Sequence, residues 1–367
     1  MTRIVLVKRL SPYESITAKV VIFLIAILVA LSLGAVLFLS AGANPFDAYL
    51  SLLQSGFFSL RGIGFTLVQA TPLILVSLAT IAAWRSGFMY LGFEGAMLIG
   101  AAGSTVVGLS ASTGGLLDGA SVFVLLPLAL FAGMLVAGFW AFLVGIIQVR
   151  SGGNTVLMAL MSNYVAILLI QYLVSGPMRA AGDLPQTALI ARDYWLPILI
   201  PGTRLHAGIL IALCAAAIVY FALEKTAAGF ELVAIGMSAR VARYGGVNVE
   251  NRILQAAFAA GALSGLAGVV NVYGVHHRLL DGFADGTGFV GIVTALLGQM
   301  TVGGSVLASI LYGGLTVGAD AMQRQSGLPS SAILTVQAMI VLCILGSEIY
   351  RTHTLRIRVR KKLTGGV

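Results

Sequence analysis

The stretch EKTAAGFELVAIGMSARVARYGGVNVENR, residues 224–252, is the polar interruption in a chain otherwise built from membrane-length apolar runs. Inside it, Ser238-Ala-Arg-Val-Ala-Arg-Tyr244 reads as a short helix. Ser238 is a good N-cap, because its side-chain oxygen can accept an orphan backbone N–H. Gly245 and Gly246 can close the helix in the left-handed conformation. A helix of about two turns has no stability of its own, so it must dock on membrane helices, on a partner, or on both. A membrane protein that keeps one compact cytosolic helix, with no enzyme domain attached, implies a separate motor that pushes on it.

Composition sets the surroundings of this insert. Of 367 residues, 59% are hydrophobic and only 10% charged, against roughly 25% charged in soluble domains. The chain is therefore an integral membrane protein. The net charge of +9 would suggest nucleic acid in a soluble protein, but here the charges sit in loops and tails, where topology accounts for them. Cys214 and Cys343 both lie inside apolar runs and read as small buried hydrophobes. The run after the basic start at Arg3, Lys8, Arg9 and Lys19 is longer than a signal-peptide core of about 7–15 residues. It reads as an uncleaved first transmembrane helix.

A spanning helix needs about 20 mostly apolar residues. Ten candidates follow: 20–40, 65–84, 89–110, 121–147, 155–175, 206–223, 254–273, 287–300, 303–322 and 331–349. The eighth and ninth form one apolar stretch broken around residues 298–304, and a re-entrant pair is the alternative there. The predicted fold is an all-α polytopic membrane protein with about ten transmembrane helices. A cytosolic segment 1–19 precedes the bundle 20–349, the coupling loop 224–253 lies between helices six and seven, and a basic tail 350–367 follows. With both termini inside, 16 of the 22 Lys and Arg residues fall on the inner side, as the positive-inside rule asks. Two outer loops stand out. Residues 43–64 carry Tyr49, Leu52, Phe57 and Phe58 among polar residues and read as interfacial. Residues 176–205 are long for a plain connector, and a delivery protein is one candidate partner for them. The basic tail 351–362 suits anionic membrane lipid.

Residues able to carry chemistry are few. There is no G-x-x-x-x-G-K-[ST] segment, so the chain does not bind ATP through a P-loop. No hydrolase elbow or zincin pattern appears. His276-His277 lacks further ligands at metal spacing, and no metal site or cofactor is expected. Glu94 is the one acidic residue well inside an apolar run. A carboxylate in a membrane is costly and normally faces a bundle interior or a watery cavity, so it serves substrate contact or helix organisation, or else caps a broken helix beside Gly92 and Gly95. Asn154, Asn163, Tyr164, Gln171, Asn271 and Gln299 are the other polar groups within runs. Together they suit a neutral solute bearing hydroxyls or a base; each alone also reads as an interhelical hydrogen bond. Gly261-Ala-Leu-Ser-Gly265 and Gly314-Leu-Thr-Val-Gly318 are small-xxx-small faces, which let helices approach closely in lipid.

These residues, taken in order, resemble the membrane permease subunits of ABC importers in the simple-sugar and nucleoside branch. The resemblance covers about residues 44–345. Asn44-Pro-Phe-Asp-Ala-Tyr49 resembles that family's N-P-x-x-A-Y segment, and Thr71-Pro-Leu-Ile-Leu75 its T-P-L-I-L. Gly92, Glu94, Gly95 and Met97 match N-I-G-x-E-G-Q-M. Residues 236–247 resemble the coupling element ending A-x-Y-x-G-I. Ala295-Leu-Leu-Gly298 with Gly303 resembles A-L-L-G-x-x-x-x-G. Tyr90 departs from the pattern's Asn, Ala96 from its Gln, and Thr155 from the acidic residue of N-E-V. The resemblance implies a non-enzymatic transport subunit in the bacterial inner membrane, with no cofactor. It implies a cytosolic ABC ATPase, a second permease subunit (related or identical), an extracytoplasmic solute-binding protein and no nucleic-acid partner. The solute implied is a nucleoside or simple sugar. Glu94, Asn154, Asn163, Tyr164, Asn271 and Gln299 are the expected substrate pathway. Ser238, Arg240, Val241, Arg243, Tyr244 and Gly246 are the expected ATPase contact. The alternative, an ion-coupled secondary transporter, would ask for more intramembrane acids than this chain holds.

Overall fold

The computed structural model describes residues 2–8, 16–40, 42, 44–112, 117–326 and 353–359, with isolated helical positions between 335 and 346. The chain falls into two units, one of residues 54–318 and one joining residues 1–53 to 319–367.

In the larger unit the apolar runs become helices, and their polar flanks become caps. These are α3 (Leu60–Arg85), α4 (Phe93–Ser112), α5 (Val122–Ser151), α6 (Thr155–Ser175), α7 (Gly208–Lys225), α8 (Ala227–Met237), α9 (Ala239–Tyr244), α10 (Val249–Asn271), α11 (Thr287–Leu297) and α12 (Val302–Ser326). The last of these runs on across the unit boundary. Ser59 caps α3 by accepting from Gly62 N at 2.9 Å, and Asn248 caps α10 by accepting from Asn251 N at 3.1 Å. Gly152, with φ 64°, ends α5.

Seven described helices are long and apolar enough to cross a membrane: α3, α4, α5, α6, α7, α10 with its following π-turn, and α12. The smaller unit adds α1 (Ile16–Ser40), an apolar helix of 25 residues. Two expectations change. The run 287–300 yields only the 11 residues of α11, too few to span. The run 89–110 is helical only from Phe93, after a non-helical approach. The tenth run, 331–349, lies outside the described residues apart from those isolated positions.

Helices α3, α4 and α10 form the interior, while α5 and α6 keep most of their apolar surface outward. In lipid there is no hydrophobic drive between helices, so close packing must hold them. The small residues do this. A methyl group on Gly265 of α10 would collide with Ala137 and Gly133 of α5, and one on Gly100 of α4 would collide with Gly265. The predicted small-xxx-small face of α10 is thus where three helices cross.

In the smaller unit α2 (Pro45–Leu53) lies against α1, held by Tyr49 Oη donating to Leu31 O at 2.7 Å and by the Phe38–Tyr49 ring contact. Phe46 and Leu53 are exposed, in keeping with an interfacial segment. One departure from an all-α chain occurs here. β1 (Thr2–Lys8) pairs antiparallel with β2 (His353–Val359), Thr2 opposite Val359 and Lys8 opposite His353. Both stretches are rich in β-branched residues, which favour extended backbone.

Candidate functional site: a helix junction and an exposed knob

The site begins where α3 stops. Ser86 N donates to Ala83 O at 3.2 Å, and Gly87 takes φ 79°. The chain then runs without helix, Tyr90 N donating to Phe88 O at 2.8 Å, before α4 opens. Unwound backbone inside a membrane needs each polar group satisfied by protein, and here side chains do it. Trp84 Nε1 donates to Tyr90 O at 3.0 Å, and Asn163 Nδ2 donates to Leu91 O at 3.0 Å. Tyr90 Oη donates to Gly92 O at 2.9 Å, and Ser264 Oγ donates to Phe93 O. Phe88, Tyr90 and Phe93 are fully buried and form a stacked and edge-on aromatic row. The segment is therefore fixed.

Glu94 stands in the first turn of α4, pressed against the start of α11. Its Oε1 accepts from Gly286 N at 3.2 Å. Gly286 is the N-cap of α11, with φ 74°. A methyl group on Gly288 would overlap the Glu94 backbone, so only glycine lets α11 come this close. Glu94 thus meets two helix N-termini, where the helix dipoles favour negative charge. Its Oε2 is buried and has no partner among the described residues.

The 11 residues of α11 rise roughly 16 Å at 1.5 Å each, about half of a hydrocarbon core of ~30 Å. The far end of α11 leads to Met300, whose carbonyl accepts from Arg85 Nε at 3.1 Å. Arg85 closes α3, so α11 runs beside the non-helical return from that level up to Glu94.

Among the expected pathway residues, the structure brings Glu94 and Asn163 together. Asn163 spends both ends of its amide on the backbone, since its Oδ1 also accepts from Gly95 N at 2.8 Å. Asn154 caps α6 by accepting from Val156 N and Leu157 N. Tyr164 is exposed on the flank of α6, and Asn271 ends α10. Gln171 donates to Asp281 at 3.4 Å. Gln299 sits in the α11–α12 turn with φ 56°. Trp84, Ser264, Gly286 and Gly288 shape the junction and were not singled out for it. The small-xxx-small pattern around Ser264 was the one available signal.

The polar insert 224–252 folds as its caps direct. Ser238 Oγ accepts from Val241 N at 3.4 Å at the start of α9, and Gly246 takes φ 84° beyond its end. Ala242 is buried against Ile235 of α8 and Val249 of α10, which supplies the docking a six-residue helix needs. Arg252 Nε donates to Glu231 at 2.6 Å, tying α10 to α8. Arg243 and Glu250 approach to 3.5 Å. Val241 and Tyr244 project into solvent, 68% and 86% exposed, with Arg240 beside them. The result is a knob with a packed foot and an open head.

At the other end, residues 186–206 are laid onto the segment after α10. Ile190 N donates to His277 O at 2.9 Å and Leu196 N to Tyr273 O at 3.1 Å. Trp195 stacks on His277 at 3.5 Å. His206 is buried, with Nδ1 accepting from Gly208 N at 3.1 Å. Burial, and then the neighbouring His277, push its pKa down to about 4.

A protein family described as the permease component of the branched-chain amino acid transport system matches residues 62–345. The guanosine ABC transporter permease protein NupP of Bacillus subtilis is 34% identical over 362 residues, 97% of this chain and 99% of its own length. The glucose ABC transporter permease protein TsgB13 of Haloferax volcanii is 30% identical, covering 91% of this chain and 89% of itself. The nucleoside ABC transporter permease protein NupB of Lactococcus lactis is 30% identical, covering 89% and 91%. No solved structure matches. A match over most of the chain, joined to a bundle of membrane-length helices, decides the class: this chain belongs to that permease family and is the membrane-spanning permease subunit of an ABC transporter.

Proposed function

We propose that this subunit imports a neutral, hydroxyl-rich solute, a nucleoside first and a simple sugar second, past Glu94 at the membrane midplane. The observation that carries this reading is the unpartnered Glu94 Oε2 at the meeting of two helix N-termini. Ribose hydroxyls and base N–H groups are donors, and a buried carboxylate oxygen is the acceptor they need. A free amino acid would bring its own carboxylate to a place already holding one, with Asp285 next to Gly286. Like charges in a low dielectric repel strongly, which speaks against amino-acid cargo. The solutes named for the guanosine, nucleoside and glucose permeases above agree with this chemistry.

The motor in this reading is a cytosolic ABC ATPase that grips Ser238, Arg240, Val241, Arg243, Tyr244 and Gly246. A second permease subunit completes the pathway, and an extracytoplasmic binding protein delivers solute to the outer loop 176–205. The chain crosses the bacterial inner membrane ten times, with both termini and α9 inside. Here α4 with its non-helical approach, and α11 with the segment before it, each count as one crossing. The β1–β2 pairing supports an even number, because it sets the two chain ends side by side.

The test is uptake by the permease expressed with its ATPase and binding protein, using labelled guanosine, glucose and leucine. ATP-dependent guanosine accumulation is expected. Accumulation of leucine alone, or guanosine uptake driven by an ion gradient without the ATPase, would overturn the reading.

A further inference from the structure

We propose that Arg85 is the positioning residue linking the cytosolic coupling element to the Glu94 junction, and that its contacts form a latch which must release in each transport cycle. The inference rests on the functional reading above and adds a residue and a route to it.

Three elements converge on Arg85. Its Nη1 donates to Glu224 Oε1, on the last turn of α7 where the chain enters the coupling insert. Its Nε donates to the carbonyl of Met300, in the turn that joins α11 to α12. Its own carbonyl is covered by Gly236 of α8, so closely that a methyl group there would overlap it. A methyl group added at Gly87 would in turn sit in van der Waals contact with the Gly236 Cα. One guanidinium thus ties the end of α3 to the end of α7 and to the foot of α11, while the coupling insert bears on the backbone of the same residue.

The geometry above Arg85 completes the route. Toward the midplane, α3 continues as the non-helical segment that opens α4 at Glu94. The foot of α11 is fastened to Arg85, and its head is fastened to Glu94 through Gly286. A displacement of α8 therefore acts on both strands of chain that frame the junction. Packed elements with discrete contacts move between arrangements rather than deforming smoothly. The latch is also releasable. The Arg85 and Glu224 side chains are 22% and 43% exposed, and partly exposed pairs of this kind are weak. The turn it holds carries Gln299 and Met300 at φ 56° and 54°, a left-handed pair that non-glycine residues adopt at a cost. Losing the Arg85 contact gives that turn freedom to relax.

The complete transporter, permease with ATPase and binding protein, provides the test, with labelled guanosine as probe. Arg85→Ala is expected to cut ATP-driven uptake at least tenfold while ATP hydrolysis stays within twofold of wild type. Arg85→Lys keeps the charge but lacks the Nε donor for Met300, and is expected to fall between. Arg85→Glu is expected to lose uptake, and Arg85→Glu with Glu224→Arg to regain at least fivefold over the single reversal. A substrate-independent readout accompanies these: backbone hydrogen exchange of residues 287–301 in the intact complex should rise several-fold in Arg85→Lys. If Arg85→Ala fails to assemble, the charge-reversal pair and the exchange measurement decide. Equal loss of hydrolysis and uptake, no rescue by the double reversal, or unchanged exchange would each overturn the latch. Wild-type complex that accumulates no guanosine would instead overturn the functional reading, and the exchange result would still judge Arg85.

Discussion

At the scale of single residues, the junction separates two groups that look alike in the sequence. Glu94 and Asn163 are both polar residues inside apolar runs. Asn163 is structural, because its amide satisfies Leu91 O and Gly95 N together. Leaving a buried donor or acceptor unmet costs about 1–3 kcal/mol each. Asn163→Leu, branched at the same carbon but bulkier and without hydrogen bonds, should therefore lower unfolding stability by roughly 2–6 kcal/mol, measured on the purified protein in detergent. Glu94→Gln keeps an oxygen for Gly286 and should hold stability within about 1 kcal/mol. It weakens the acceptor offered to solute, and hydrogen bonds to a charged group are worth about 1.5–3 kcal/mol. Guanosine uptake should then fall about 10- to 100-fold. The reverse pattern, stable Asn163→Leu and fully active Glu94→Gln, would exchange their roles. Glu94 was legible because a charge in an apolar run is conspicuous. The role of Asn163 was not, since Leu91 and Gly95 lie far from it in sequence and meet it only once α4 and α6 pack.

At the scale of elements, legibility followed the range of the determining contacts. The α9 knob was readable because its cap, Ser238, and its stop, Gly245-Gly246, are local. The shortness of α11 was readable only as the re-entrant alternative for the run broken around residues 298–304, and the exact start of α4 was not readable. Phe88, Tyr90 and Leu91 are apolar, and hydropathy reports tolerance of lipid rather than helicity. For the knob, Tyr244→Ala or Arg243→Glu should leave ATP hydrolysis running while uptake drops at least tenfold, roughly 1.4 kcal/mol of lost coupling. Parallel hydrolysis and uptake assays check this, and normal uptake in both variants would remove α9 from the drive train. The outer loop carries a pH prediction. Buried His206 resists protonation down to about pH 4, whereas the unfolded chain takes up a proton near pH 6.5. The unfolded state thus binds more protons between these values, so stability falls as pH drops from 6.5 toward 4. The whole effect of His206 is roughly 3 kcal/mol at most. His206→Gln should flatten that part of the profile, read as unfolding midpoints from pH 4 to 8. An identical slope in wild type and variant would mean that other groups carry it.

At the scale of the whole molecule, a multi-pass membrane chain was legible, and seven described helices are long and apolar enough to cross a membrane; the full set of ten passages belongs to the proposal. Runs of apolar residues mark candidate crossings; they do not say that α4 opens late and α11 is short, so that two helix N-termini meet at one carboxylate. The count still constrains orientation. Antiparallel pairing of β1 with β2 requires both chain ends on one side. In the proposed topology the excess of Lys and Arg in the same segments places that side in the cytosol. The knob lies between α7 and α10, which in the proposed ten-crossing topology is an even number of crossings from either end. In that proposal it shares the side of the termini, and the loop 176–205 lies on the opposite side. Single cysteines placed at Tyr244 and Asp183, with Cys214 and Cys343 replaced, give opposite expectations for an impermeant maleimide. Position 183 should label in intact cells, and position 244 only after permeabilisation. A residue-244 cysteine that labels from outside would put the knob beyond the reach of any cytosolic ATPase, and the proposed coupling could not operate, whatever the uptake assays returned.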